Sequence, residues 1–108
     1  MNKYGAKKTV IDGIRFDSKH EASRWCELKY MERAGLIADL RRQVKYELIP
    51  ALYDGKKLIS RSVCYIADFV YTQNGETVVE DAKGVQTEIY KIKKKIMRWK
   101  HGVEIKEV

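Results

Sequence analysis

The chain is poor in the residues that build disulfide scaffolds, zinc ribbons and disordered tails: it has two cysteines, two histidines and one proline. Cys26 and Cys64 stand alone, without the Cys-x-x-Cys spacing of a zinc site. Each falls among apolar residues of a predicted element, which reads as a reduced, buried thiol. His20 and His101 have no companions spaced as a ligand pair or a catalytic triad. No apolar run approaches bilayer-spanning length, and no secretory leader opens the sequence. The expectation is a soluble, cytoplasmic protein with no membrane partner.

What is present is enough apolar material for one core and an excess of positive charge. With 44% hydrophobic residues over 108 positions, the chain should fold as a single domain, residues 1–108, rather than remain disordered. Only the basic start, Met1 to Lys8, and the Ala51 to Lys57 loop read ambiguously. Twenty-two basic residues against 15 acidic give a net charge of +7. Such a surface suits a polyanion, most commonly nucleic acid; the other reading is a basic surface with no partner.

Along the chain, Asp12-Gly13 is a two-residue turn inside a hairpin from Lys8 to Phe16. Ser18 opens a helix to about Ala34, with Glu21 at the capping-box position and Gly35 placed to end it. Gln43 to Ile49 alternates as a strand, and Pro50 stops it. Asp54-Gly55 marks a turn. Ser62 to Tyr71 and Glu76 to Ala82 read as strands joined by Asn74-Gly75, with Gly84 as the breaker after them. Thr87 caps a second helix, Glu88 to about His101, which Gly102 ends, and Val103 to Val108 makes a last strand. After the leading hairpin the order is helix, three strands, helix, strand, an α/β (α+β) domain around one central sheet.

Chemistry concentrates at four positions. Asp81 and Lys83 lie two apart at a strand end, so their side chains leave the same face; Val79 shares that face, and Val78, Glu80 and Ala82 share the other. Asp68 interrupts the apolar strand Tyr65-Ile66-Ala67-Asp68-Phe69-Val70-Tyr71, where an unpaired charge is costly and a shared hard cation would give it a reason. Counting outward from Asn74-Gly75 puts Asp68 and Asp81 near one rung. Glu21 lies on the helix stripe of Trp25 and Leu28, facing the sheet. Each has a plainer explanation: Glu21 as a capping residue, Asp68 in an ion pair with Arg61 or another base, Asp81 and Lys83 as a salt bridge.

An acid on the first helix, an aspartate on the second core strand and acid-x-lysine on the third resembles the PD-(D/E)xK nuclease superfamily. The segments Phe16-Asp17-Ser18-Lys19-His20-Glu21, Gln43 at a strand start, Tyr65-Ile66-Ala67-Asp68-Phe69 and Val79-Glu80-Asp81-Ala82-Lys83-Gly84 are similar to a family of small phage-encoded proteins of that superfamily. They are also similar to TnsA-type and phage junction-resolving endonucleases. Here aspartate replaces the commoner glutamate before x-Lys, and Ala67 stands where the superfamily's name has proline. The resemblance, which runs from about Lys3 to Val108, implies a restriction-endonuclease-like core and an Mg²⁺-dependent DNA endonuclease, with Mn²⁺ able to substitute. The metal would take Glu21, Asp68, Asp81 and the Ala82 carbonyl; Lys83 would position water and stabilise developing charge. The implied substrates are branched or recombination intermediates in a bacterial host cell, alongside phage replication or recombination proteins. A homodimer would suit two-strand cleavage.

Further contacts to DNA are expected from Lys91, Lys94, Lys95 and Arg98, which share one side of the second helix opposite Ile89, Ile92, Ile96 and Trp99. Lys93 falls within the apolar arc and either reaches the site or snorkels to its edge. By resemblance, Gln43 sits at the edge of the site, and Arg61 and Tyr65 contact phosphates. The alternative function is a non-catalytic nucleic-acid-binding or protein-interaction module that retains the nuclease fold.

Overall fold

Two Asx-Gly pairs set the chain reversals. Asp12 and Gly13 take φ 50° and 78°, and Asn74 and Gly75 take 52° and 79°. Positive φ at both central residues is the two-residue turn whose twist matches that of paired strands. The computed structural model describes residues 8–83 and 86–108. The first turn joins β1 (Thr9–Ile11) to β2 (Ile14–Phe16). Helix α1 (Lys19–Arg33) follows, with the Ser18 hydroxyl accepting from the Glu21 backbone N–H at 3.1 Å. Next come β3 (Ala38–Ile49), the short pair β4 (Leu52–Asp54) and β5 (Lys57–Ser60), then β6 (Val63–Gln73) and β7 (Glu76–Asp81). Helix α2 (Glu88–His101), capped by Thr87 and ended by Gly102 at φ 66°, leads to β8 (Lys106–Glu107).

The central sheet has the order β3-β6-β7-β8, antiparallel except for the parallel pair β7 and β8, so the fold is mixed α and β around one mixed sheet. Three boundaries differ from expectation. β3 begins at Ala38 rather than Gln43, because Asp39 (φ 54°) and a register shift let a non-alternating stretch pair. β8 covers two residues rather than Val103 to Val108. The Asp54-Gly55 turn belongs to a real hairpin, β4 with β5. Gly84 and Met1 to Lys7 lie outside the described residues. Among the described residues no helix is long and apolar enough to cross a membrane.

Two apolar clusters cover the two sheet faces. Phe16, Trp25, Leu28, Phe69, Tyr71 and Ala82 pack with α1; Leu48, Tyr65, Ala67, Val70, Val79 and Met97 pack with α2. Strand alternation should keep Ala67 and Phe69 on one face, yet they belong to different clusters. The same break occurs on β3, where Leu40 joins the α1 cluster and Arg42 lies 4.8 Å over the Phe16 ring, but Val44 and Tyr46 join the α2 cluster. Arg42 pairs with Phe69 and Val44 with Ala67, so both strands change faces at the same level, at Gln43 and Asp68. Gln43 carries the left-handed φ of 53° that goes with this change. Asp68 is fully buried there.

The α2 orientation corrects the sequence reading. Met97 is fully buried and Tyr90 partly so, whereas Ile89, Ile92 and Trp99 are 68%, 58% and 82% exposed. Of the expected apolar face only Ile96 packs on the core, while the other three residues stand outward; Lys93 and Lys94 are partly buried. The thiols are a second correction: Cys26 is exposed and Cys64 half-buried, both free.

Candidate active site

The register of β6 and β7 pairs Phe69 with Glu80, and one further step sets Asp68 across from Asp81. Directly opposed residues share a face in an antiparallel pair. The β7 parity expected from the sequence is also observed: Val79 joins the α2 cluster, while Val78 and Ala82 join the α1 cluster and Glu80 turns to Arg24 on α1.

Asp68 and Asp81 bind the chain end that follows β7. Asp68 Oδ2 accepts from the Ala82 backbone N–H at 2.8 Å, and its Oδ1 accepts from Lys83 Nζ at 3.0 Å and from Gln43 Nε2 at 3.4 Å. Asp81 Oδ1 accepts from the Lys83 backbone N–H at 3.0 Å, and its Oδ2 from the Tyr65 hydroxyl at 2.7 Å. Lys83 is therefore shared, its ammonium with one acid and its backbone with the other. Burial alone would depress the Lys83 pKa; the Asp68 hydrogen bond and charge, with Glu21 and Asp81, outweigh it and hold the ammonium above its ordinary value. It stays a cation at neutral pH and cannot serve as a base.

Glu21 arrives from α1 on the buried stripe of Trp25 and Leu28. It does not complete a capping box: its Oε2 is buried without a partner, and its Oε1 lies 3.8 Å from Arg42 Nη2. Burial first, then the adjacent Asp68 carboxylate, push its pKa up to about 7. Ordinary structural carboxylates are not left like this, since an unfilled buried acceptor costs roughly 1–3 kcal/mol.

Asp81 and Lys83 open onto a cleft of about 300 Å³ on the α2 side, with Tyr65, Ile66, Tyr90 and Lys93 among its walls. Lys93 is thus at the site, as is Gln43 through Asp68. Tyr65 is buried with its hydroxyl committed to Asp81, so it positions a site carboxylate rather than standing outward toward a phosphate. Burial and that bond raise its pKa, and Tyr90, whose hydroxyl donates to Glu107 at 2.9 Å, is raised likewise. Sequence reasoning missed Tyr90; its position one turn into α2, directly after the site loop, is the signal that was there. Arg61 is exposed, two residues before β6 begins. Lys91, Lys94, Lys95 and Arg98 line a different open cavity of about 390 Å³ with Trp99. Three of these cations have acidic partners: Lys91 with Glu88 at 3.4 Å, Lys94 with Glu107 at 3.1 Å and Arg98 with Glu104 at 3.7 Å.

Glu21, Asp68 and Asp81 offer only oxygen donors, the type hard divalent cations take, and the orphaned Glu21 Oε2 is a buried acceptor a cation would satisfy. In the present side-chain positions, no three His, Cys, Asp or Glu among the described residues are gathered so as to hold a metal ion.

Fold and site together define a small mixed α and β protein that collects acids and one lysine where its sheet changes faces. Over residues 1–107 the chain matches the family described as "Protein of unknown function (DUF1064)", and it belongs to that family. No curated protein and no solved structure matches it.

Proposed function

We propose that the chain is an Mg²⁺-dependent DNA endonuclease with a restriction-endonuclease-like core, of the PD-(D/E)xK kind, acting on branched or recombination intermediates. The observation that carries this reading is Glu21: a buried acid with an unfilled oxygen, set beside Asp68 and within reach of the Lys83 charge. A strongly perturbed acid clustered with two buried aspartates points to function rather than to packing. The order of helix, three antiparallel strands, helix and parallel strand supports the same core, and the charge of +7 suits a polyanionic substrate.

Glu21, Asp68, Asp81 and the Ala82 carbonyl would hold the cation, for which Mn²⁺ would substitute. Bound there, it supplies polarisation of a phosphodiester and a more acidic water. Lys83, kept cationic by Asp68, faces the charge that builds on the phosphate as it is attacked. Gln43 steadies Asp68, and Tyr65 steadies Asp81. Lys93, on the cleft wall, takes a neighbouring phosphate.

A non-catalytic DNA-binding module is the second reading, favoured by the carboxylates not being gathered as a ligand set. A digestion panel of linear, flapped and four-way-junction DNA with Mg²⁺ separates the two. Wild-type protein should cleave; Asp81→Ala should lose cleavage by orders of magnitude while still binding DNA. Lys83→Ala should lose cleavage but keep Mn²⁺ binding in calorimetry, because an ammonium is not a ligand. Full cleavage by Asp81→Ala would remove the nuclease reading, and DNA binding without Mn²⁺ binding or cleavage would establish the module.

A further inference from the structure

The β4–β5 hairpin is a folded segment with nothing to fold against. Among the described residues its two strands pack substantially only on each other, and every residue of both is exposed. It contributes to a shape 50 Å long but 25 Å thick. An isolated two-stranded hairpin is marginal in water at best. A solvated arm should be polar, yet this one exposes Leu52 by 51%, Tyr53 by 63%, Leu58 by 45% and Ile59 by 58%. Tyr53 pairs with Leu58 and Leu52 with Ser60, and the register shift between these rungs leaves Ile59 opposite no β4 residue. An arm that exposes four large apolar side chains in this way is built to be covered.

The same chain carries a second uncovered apolar surface. Ile89, Ile92 and Trp99 are 58–82% exposed along α2, with Ile89 also on the wall of the cleft that holds Asp81 and Lys83. We propose that this protein is a two-fold dimer in which the β4–β5 arm of each copy seats on the α2 apolar stripe of the other. A second copy is the occupant because both halves of such a contact are on one chain, and a two-fold axis uses each of them twice. These seven side chains, counted over arm and stripe, offer apolar area of the order of the roughly 800 Å² per partner that a stable interface needs. The inference does not depend on the nuclease reading.

Trp99 supplies the test, since Trp25 is 9% exposed and Trp99 dominates any quenching by solvent. Wild-type protein should sediment with the mass of two chains and show Trp99 shielded from acrylamide. Leu58→Glu/Ile59→Glu, and separately Ile92→Glu, should sediment as single chains with unchanged circular dichroism and a severalfold higher quenching constant. The substituted positions are solvent-exposed within one chain, so folding should survive; unfolding of both variants would itself overturn the assignment. A monomeric wild type overturns the proposal. A dimer that persists in the arm variant overturns it too. Dissociation without a change in Trp99 quenching overturns the α2 seat.

Discussion

Glu80 and Asp81 are adjacent on β7 and both buried, and the fold treats them in opposite ways. Glu80 is met by the Arg24 guanidinium with both oxygens engaged, at 2.9 Å through Nε and 2.7 Å through Nη2, and the Tyr71 hydroxyl donates to it as well. Arg24 grips Glu80 in bidentate geometry while its Nη1 also meets the exposed Glu27 at 3.2 Å, and Tyr71 is pushed up to about 12 by burial and then by its bond to Glu80. One residue further, on the opposite face, Asp81 shares its neighbourhood with Asp68, and Glu21 adds a third carboxylate. Lys83 is the ammonium bonded within this group, with Arg42 at its edge. The first acid has both oxygens filled; the second group keeps one buried oxygen, Glu21 Oε2, with no partner. An acid buried for architecture comes with its partners in place, whereas an unfilled buried acceptor points to something else that binds there.

Unbalancing both clusters should therefore have unequal consequences. Arg24→Met strands Glu80 in the core, and breaking a buried pair from one side costs about 3–5 kcal/mol. Asp81→Asn keeps an acceptor for the Tyr65 hydroxyl and removes a repulsive charge, so its cost should be about 1 kcal/mol or less. Urea unfolding without divalent cations measures both. Equal losses would mean that the site cluster is as balanced as the Glu80 cluster.

The next largest effect is a pH dependence that belongs to Glu21. In the unfolded chain its carboxyl titrates near 4.5, in the folded protein near 7. Between those values the fold retains a proton that the unfolded chain has lost, so stability declines as pH rises through the window. The penalty is absent below 4.5 and complete above about 7, on the order of 3 kcal/mol for such a displacement. Glu21→Gln should flatten this decline and leave the melting temperature at pH 8 higher than wild type in EDTA. Mg²⁺ or Mn²⁺ should rescue the wild type at pH 8 and not the variant. A capping role for Glu21 would instead give a variant no more stable at pH 8 than at pH 5, relative to wild type.

Both clusters were only partly legible in the sequence, for different reasons. Strand parity separates Glu80 from Asp81, and the Asn74-Gly75 turn fixes the register, so the pairing of Asp68 with Asp81 follows from counting alone. The helix stripe of Glu21, Trp25 and Leu28 follows from 3.6-residue spacing. The face change at Gln43 and Asp68 is invisible to such counting, because period-two reasoning assumes that alternation never breaks. Arg24 as the Glu80 partner is a contact between elements 56 positions apart, which periodicity does not address. The outer placement of Ile89, Ile92 and Trp99 was missed because an apolar arc reads as a buried one, and the choice between Met97 and Trp99 as core depends on packing. The β4–β5 hairpin announced only its turn, since its strands are short and a register shift breaks their alternation.

The smallest and most discriminating change is at Tyr65, whose hydroxyl fills Asp81 Oδ2 as Tyr71 helps fill Glu80. Tyr65→Phe keeps the ring in the α2 cluster and deletes one buried hydrogen bond to a carboxylate, at a cost of about 1–2 kcal/mol. Tyr71→Phe should cost a similar amount, because Arg24 still neutralises Glu80. Their effects on cation binding should diverge. Without the Tyr65 hydroxyl, Asp81 has an oxygen with no donor, so its negative charge is less well stabilised. Mn²⁺ affinity measured by calorimetry should rise severalfold in Tyr65→Phe and stay unchanged in Tyr71→Phe, although both variants lose stability. Weaker Mn²⁺ binding in Tyr65→Phe would show that the hydroxyl orients Asp81 toward the cation, and equal binding in all three proteins would place the cation away from Asp81.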